Sequence, residues 1–149
     1  MYTRKDTVFL QMATLLGTLG TCDRASVGAI IVKEGRAISW GYNGALPSMP
    51  HCNENNHGWG EDYRSVESFG CRNVMHAEAN AICFAARQGI STEGCTLYTE
   101  MSPCENCARL IVSSGISRVI YRAAYRDETG ISVLRRAFVL AGEIDAEQA

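Results

Sequence analysis

The chain has 149 residues, of which 46% are hydrophobic and 20% are charged. This length and composition predict a single globular domain, spanning residues 1–149, that is long enough to bury its own core. The formal net charge of −2 gives no general electrostatic reason to bind a nucleic acid. The seven cysteines are odd in number and lack the spacing of a secreted disulfide scaffold, so we expect a reducing, cytoplasmic compartment.

The first half of the chain predicts a helix, a hairpin and a long loop. Apolar residues at helical spacing indicate a helix within residues 7–22, and polar residues on its other faces argue against a signal sequence or a membrane span. Residues 27–32 and 37–42 flank a polar turn and predict two antiparallel strands. Residues 43–75 show no periodicity, and a loop of this length in a small domain usually has a function.

The second half of the chain alternates between helical and strand patterns. This alternation favours a parallel portion of sheet joined to the early hairpin. In chain order we expect a helix at 76–88, a strand at 96–99, a helix at 103–114, a strand at 118–121, a helix at 131–140 and an edge strand near Ile144.

Two short motifs predict a metal centre. Cys104 and Cys107 lie one turn apart at a helix start, where the helix dipole and unpaired N–H groups favour thiolates. His76 opens the preceding helix and can supply a third ligand. Catalytic zinc sites usually have three protein ligands and keep the fourth position for water. We therefore predict catalytic zinc rather than structural zinc, which would recruit a fourth strong ligand.

Glu78 is the predicted proton carrier of this centre. Zinc lowers the pKa of a bound water towards about 7, and a nearby carboxylate can accept the released proton and later donate it. Residues i and i+2 do not share a face of a regular helix. His76 and Glu78 are therefore expected to flank the metal from the first turn of their helix.

The combined pattern, H-x-E followed by P-C-x-x-C, is a signature of zinc nucleobase deaminases. The segments His76-Ala77-Glu78-Ala79-Asn80-Ala81-Ile82 and Ser102-Pro103-Cys104-Glu105-Asn106-Cys107-Ala108 resemble the paired motifs of deoxycytidylate (dCMP) deaminases. Cys22-Asp23-Arg24, the strand 27–32 and Gly41-Tyr42-Asn43-Gly44 resemble the N-terminal hairpin of that family. The similarity extends from about Thr21 to Tyr125.

The resemblance implies a fold and a reaction. The fold is a cytidine-deaminase-like three-layer α/β/α arrangement with a mixed five-stranded sheet. The reaction is hydrolysis of dCMP to dUMP and ammonia, in which zinc-activated water attacks C4 of cytosine and Glu78 protonates N3. Asn43 is expected to contact the deoxyribose, and Arg24 the phosphate, because a charged donor suits a monophosphate. The alternative for Arg24 is an ordinary surface arginine.

The resemblance also implies allosteric regulation. Many dCMP deaminases are hexamers that are activated by dCTP with Mg²⁺ and inhibited by dTTP. By resemblance, Phe84 packs on a nucleotide base and Arg87 meets a phosphate, beside the turn that contains Asn43. The alternative is a core phenylalanine and a helix-end arginine favoured by the helix dipole.

Some members of this family hold a second, structural zinc under the long loop. Cys22 and Cys52 fall at the positions that such members use. Cys71 or His57 could complete the ligand set, and His51 is a further candidate; free buried cysteines are the alternative. Two other cysteines, Cys83 and Cys95, are expected to be small core residues.

Other readings compete with dCMP deamination. A tRNA adenosine-type deaminase shares the zinc motifs, but it needs basic and aromatic surfaces to grip a nucleic acid. Free-nucleoside cytidine deaminases usually have Cys in place of His76. A noncatalytic zinc-binding accessory protein of the same fold, for instance one that serves DNA uptake, has no use for Glu78. We therefore expect an enzyme acting on a small nucleotide, with no nucleic acid or membrane partner; the resemblance implies that it is a homo-oligomer.

Overall fold

The computed structural model describes residues 2–54 and 71–144. Within them lie four α-helices: α1 (Arg4–Gly17), α2 (Ala77–Arg87), α3 (Glu105–Ser113) and α4 (Thr129–Arg136). The same residues form seven strands: β1 (Gly28–Lys33), β2 (Arg36–Tyr42), β3 (Gly44–Ala45), β4 (Val74–Met75), β5 (Thr96–Met101), β6 (Arg118–Ala123) and β7 (Leu140–Glu143). A short 3₁₀ helix covers Cys52–Glu54.

Five of these strands form one mixed sheet in the order β2-β1-β5-β6-β7. β1 pairs antiparallel with both β2 and β5, whereas β5, β6 and β7 run parallel. The predicted hairpin and the predicted parallel portion are therefore joined through the β1–β5 pair. The mixed five-stranded sheet expected from the sequence is confirmed.

Successive residues of β1 point to opposite faces of the sheet, as the period of a strand requires. Ile30 belongs to a core cluster with Leu10 and Ala13 of α1. Its neighbour Ile31 belongs to the larger cluster on the other face, which contains residues of α2, α3 and α4. One helix thus covers one face and three helices cover the other, which gives the three-layer α/β/α fold.

The structure corrects the end of the last predicted helix. α4 ends at Arg136 rather than Leu140, and Phe138 follows with a left-handed φ of 59°. Leu140 then opens β7, the predicted edge strand, which pairs with β6. The predicted loop 43–75 also contains a two-stranded ladder of β3 and β4 that its sequence did not indicate.

Over residues 2–54 and 71–144, no helix is both long and apolar enough to cross a membrane.

Candidate active site

The N-termini of α2 and α3 meet beyond the carboxyl end of β5. His76 follows β4 directly and is the N-cap residue of α2. Cys104 follows β5 after a short connection and is the N-cap residue of α3. Backbone N–H groups at a helix start are unpaired and attract negative charge. The two predicted motifs are therefore brought together where thiolates are favoured.

The three predicted metal ligands lie within reach of one ion. The Nδ1 atom of His76 is 3.5 Å from Sγ of Cys104 and 3.5 Å from Sγ of Cys107. The three donor atoms all lie within 4.8 Å of one another. Tetrahedral zinc with Zn–S near ~2.3 Å and Zn–N near ~2.0–2.1 Å would separate sulfur from nitrogen by about 3.6 Å. This donor set fits zinc in both chemistry and spacing.

The three donor side chains shift one another's pKa values. A hydrogen bond with Cys107, aided by His76, lowers the pKa of Cys104 to about 4. The same contact with Cys104, together with burial, raises the pKa of Cys107 above its usual range. A hydrogen bond with Cys104 raises the pKa of His76. Cys104 is thus favoured as a thiolate, and metal binding, which needs deprotonated ligands, would release protons from this centre.

Glu78 lies in the first turn of α2 and faces the same pocket. Glu78 is only 5% exposed, and burial raises the pKa of its carboxyl group above the ordinary value. A carboxyl with a raised pKa exchanges protons more readily near neutral pH, as a general acid–base group requires. His76 and Glu78 thus share one pocket although they are two residues apart.

α2 is held close against β2 by small residues and side-chain hydrogen bonds. A Cβ on Gly41 would lie 2.6 Å from the carbonyl oxygen of Ala77. The Ser39 hydroxyl donates to the Ala81 carbonyl at 2.6 Å, and the Asn80 amide donates to the Tyr42 carbonyl at 3.0 Å. These contacts fix the position of Glu78 relative to the sheet.

α4 packs closely on the loop that leads to Cys104. A Cβ at Gly130, in the first turn of α4, would lie 1.9 Å from the carbonyl oxygen of Pro103. Only glycine leaves room for this approach. α4 therefore supports the metal-ligand loop through direct backbone contact.

The centre opens into a cavity of about 210 Å³. Arg24 and Asn43 line it, as the sequence predicted, and so do Tyr125 and Arg126, which the sequence reading missed. The backbone N–H of Tyr125 donates to the Ser102 hydroxyl at 2.7 Å, which ties this segment to the end of β5. Both missed residues come directly after β6, and the carboxyl ends of adjacent parallel strands share one sheet edge. Their position after a parallel strand was the feature of the sequence that could have identified them as cavity residues.

Asn43 is 5% exposed, and its amide is engaged with the backbone of the pocket wall. Its Oδ1 accepts the N–H of Val27 at 2.8 Å, and its Nδ2 donates to the Ala25 carbonyl at 2.6 Å. Asn43 therefore orders the segment that follows Arg24, whose side chain lies at the exposed rim.

A second group of potential metal ligands lies beside the same cavity. The Sγ atoms of Cys22, Cys52 and Cys71 all lie within 4.8 Å of one another. Burial, and then contact with Cys71 and Cys22, raises the pKa of the Cys52 thiol. The candidate ligand His57 falls outside the described residues. His51 is exposed and is not part of this group.

The predicted regulatory residues lie towards the far end of α2. Phe84 is 46% exposed, so its interpretation as a core phenylalanine is wrong, and Arg87 is exposed beside it. Cys83 is also exposed, which corrects its assignment to the core, because α2 buries the opposite stripe of alanines. Cys95 is 1% exposed and is a core residue, as predicted.

Known proteins are similar to this chain in sequence and fold. Residues 3–123 match the family model described as the cytidine and deoxycytidylate deaminase zinc-binding region. The chain belongs to this family. A deoxycytidylate deaminase of Enterobacteria phage T2 is 35% identical, with 81% of each chain covered. ComE operon protein 2 of Bacillus subtilis is also 35% identical, with 79% of this chain and 59% of that protein covered.

The solved structure of a relative has the same fold. The dCMP deaminase of cyanophage S-TIM5, in complex with dCMP and dUMP, superposes with a TM-score of 0.81 and 29% identity. The alignment covers 97% of this chain and 99% of that chain. With the family established, the protein is a zinc-dependent deaminase with a cytidine-deaminase-like fold.

Proposed function

We propose that this protein hydrolyses dCMP to dUMP and ammonia. The observation that carries the proposal is the position of the buried Glu78 in one pocket with a three-donor zinc centre. The relatives from phage T2 and cyanophage S-TIM5, which carry the name deoxycytidylate or dCMP deaminase, support dCMP as the substrate.

In this proposal Nδ1 of His76 and the sulfur atoms of Cys104 and Cys107 hold the catalytic zinc. Bound zinc supplies Lewis acidity that lowers the pKa of a coordinated water towards about 7. The Cys107 N–H donates to Cys104, and the Ala79 N–H donates to Cys107, so both sulfur atoms carry backbone hydrogen bonds as thiolates. The ligands are thus positioned by both helix starts.

Glu78 carries the protons of the reaction. Its carboxylate accepts a proton from the attacking water and delivers it to N3 of cytosine as the oxygen adds to C4. It then moves the remaining proton of the added oxygen to the exocyclic amino group, the C4–N bond breaks, and ammonia leaves as the C4 carbonyl of dUMP forms. Burial excludes water from the carboxylate and raises its pKa above the ordinary value, which suits a group that must both accept and donate protons.

The rim of the cavity is suited to a phosphate. Arg24 and Arg126 are exposed side chains that line the same cavity as Glu78. The Arg126 guanidinium lies 5.2 Å from the centre of the Tyr125 ring, a cation–π distance that orders it. A guanidinium forms charge-assisted hydrogen bonds with phosphate oxygens. We assign the phosphate to these arginines and the deoxyribose to the wall held by Asn43.

Regulation by dCTP with Mg²⁺ and by dTTP, in a homohexamer, is part of the proposal. Phe84 and Arg87 offer an exposed ring and an exposed guanidinium at the end of α2. The same helix starts at His76 and carries Glu78. A nucleotide that shifts this helix would therefore act directly on the proton carrier.

A structural zinc on Cys22, Cys52 and Cys71 completes the proposal. Cys22 and Cys71 also line the catalytic cavity, so this ion would fix two sides of its wall. Structural zinc sites usually have four ligands. His57, which lies outside the described residues, is the proposed fourth ligand.

The main experiment compares possible substrates. Ammonia release is measured on dCMP, CMP, deoxycytidine, dCTP and a short single-stranded DNA, with and without dCTP and dTTP. Turnover of the oligonucleotide but not dCMP would support the nucleic-acid reading instead. Absence of turnover by the zinc-loaded protein would favour the noncatalytic accessory role that the sequence analysis gives as an alternative.

Glu78→Gln tests the proton carrier. We expect the zinc content to stay at the wild-type level while kcat falls by about 1,000-fold or more, because glutamine cannot exchange protons. Glu93→Gln is the matched control, since Glu93 is exposed in the turn before β5, at the opposite end of that strand from the cavity. Retained activity in the Glu78 variant would contradict the assignment.

A further inference from the structure

One side chain holds the loop that follows β6. Residues 124–128 connect β6 to α4. Among the described residues, the backbone of residues 124–126 takes part in a single hydrogen bond, in which the Tyr125 N–H donates to the Ser102 hydroxyl at 2.7 Å. The same stretch carries Tyr125 and Arg126, which both line the catalytic cavity. The position of this part of the cavity wall therefore depends on Ser102.

Ser102 is itself fixed between the sheet and the metal-ligand loop. It is 3% exposed. Its N–H donates to the Ala123 carbonyl at 2.9 Å, which extends the pairing of β5 with β6. Cys104, a predicted zinc ligand, follows two residues later, and the intervening Pro103 is in close contact with α4. A fixed hydroxyl at this point sets the distance between the loop after β6 and the zinc ligands.

Tyr125 connects this hydrogen bond to Arg126. The Arg126 guanidinium lies 5.2 Å from the centre of the Tyr125 ring, within cation–π distance. Arg126 is an exposed side chain of the cavity, and an arginine that binds a ligand loses side-chain entropy. An anchored backbone at Tyr125 and a guanidinium already on its ring reduce that loss. Preorganisation of this kind raises affinity without adding a contact to the ligand.

We propose that Ser102 is a positioning residue for the phosphate of the substrate. Its hydroxyl holds the Tyr125 backbone, the Tyr125 ring holds the Arg126 guanidinium, and that guanidinium binds the 5′-phosphate of dCMP. The proposal rests on the proposed function, in which Arg126 contacts the phosphate. The preference for a nucleotide over its nucleoside then depends in part on a side chain that touches no phosphate. Ser102 should act on KM for phosphorylated substrates and not on the chemistry at C4 of cytosine.

Ammonia-release kinetics on dCMP and deoxycytidine test this role. Ser102→Ala should raise KM for dCMP about 10-fold, as expected for the loss of one hydrogen bond at a buried site. The kcat, the KM for deoxycytidine and the zinc content should stay near their wild-type values. Ser114→Ala is the matched control, because the Ser114 hydroxyl donates to the Ile111 carbonyl at 2.9 Å at the end of α3 far from Cys104. It should leave all four quantities unchanged.

A double-mutant cycle with Arg126→Ala separates positioning from direct contact. If Ser102 acts through Arg126, Ser102→Ala should raise KM for dCMP less than about 2-fold once residue 126 is alanine. Additive effects of the two substitutions would overturn the positioning role, because Ser102 would then act independently of the arginine. An equal rise in KM for deoxycytidine would also overturn it, since the hydroxyl would then serve the base or the sugar.

Hydrogen exchange tests the same role without catalysis. In zinc-loaded Ser102→Ala, amide exchange across residues 124–128 should accelerate about 10-fold or more, whereas exchange in β6 should keep its wild-type rate. Unchanged exchange in the loop would overturn the role of Ser102 and leave the substrate assignment standing. A wild-type protein without activity on dCMP would overturn the proposed function and the phosphate assignment with it. The exchange measurement would still decide whether Ser102 orders the loop.

Discussion

The Asp6 carboxylate joins α1 to the sheet, and its replacement by asparagine gives a measurable pH dependence. Asp6 is 2% exposed. It accepts hydrogen bonds from Arg118 at 2.8 and 3.3 Å, from the Tyr98 hydroxyl at 2.7 Å and from the Thr3 backbone N–H at 2.7 Å. Burial by itself raises the pKa of Asp6, but these hydrogen bonds outweigh it and lower the pKa from 3.8 to about 2.

The lowered pKa of Asp6 means that its ionised form stabilises the folded state. At about 1.4 kcal/mol per pKa unit, a change from 3.8 to about 2 stabilises the folded state by about 2 kcal/mol at neutral pH. Because the folded pKa lies below the unfolded one, this contribution is complete well above pH 3.8 and disappears as the pH falls through about 2. About half of it should remain at pH 3.

Urea unfolding of Asp6→Asn and wild type, at fixed protein and zinc concentrations, tests this calculation. The variant should be less stable by about 2–4 kcal/mol at pH 7, and the gap should narrow by about 1 kcal/mol at pH 3. Glu105→Gln is the control, since its ion pair with Arg109 joins side chains that are 44% and 67% exposed and should contribute about 0.5 kcal/mol or less. A pH-independent gap, or a gap below about 0.5 kcal/mol at pH 7, would refute the reasoning.

Three further predictions concern the site. Gly41→Ala should lower the free energy of unfolding by about 1–3 kcal/mol and reduce kcat, because the added methyl displaces α2; unfolding curves and ammonia release check both. Cys52→Ser should lower the zinc content from two ions to one per chain by elemental analysis, whereas one ion in the wild type would contradict the second site. Arg126→Ala should raise KM for dCMP by about 10–100-fold and leave that for deoxycytidine unchanged; equal effects on both substrates would argue against a phosphate contact.

Local sequence patterns determined the identity of the reactive groups. The Cys-x-x-Cys spacing puts Cys104 and Cys107 within one turn at a helix start, whatever the rest of the chain does. His76 at a helix start and Glu78 in its first turn followed from the same kind of pattern, as did the hairpin of β1 and β2. Such features are readable because helix starts and strand alternation depend on residues close in the chain.

Only the tertiary structure determined which of these helix starts and strand ends meet in one pocket. His76 and Cys104 are 28 residues apart, and no local rule sets the distance of 3.5 Å between Nδ1 of His76 and Sγ of Cys104. The sheet order β2-β1-β5-β6-β7 places the segment before β1 beside the ends of β5 and β6, which adds Arg24, Tyr125 and Arg126 to the cavity. That order results from burying both faces of the sheet at once, a property of the whole chain. The same condition decided that Cys83 faces solvent and that Val8, Met12 and Leu15 of α1 are exposed.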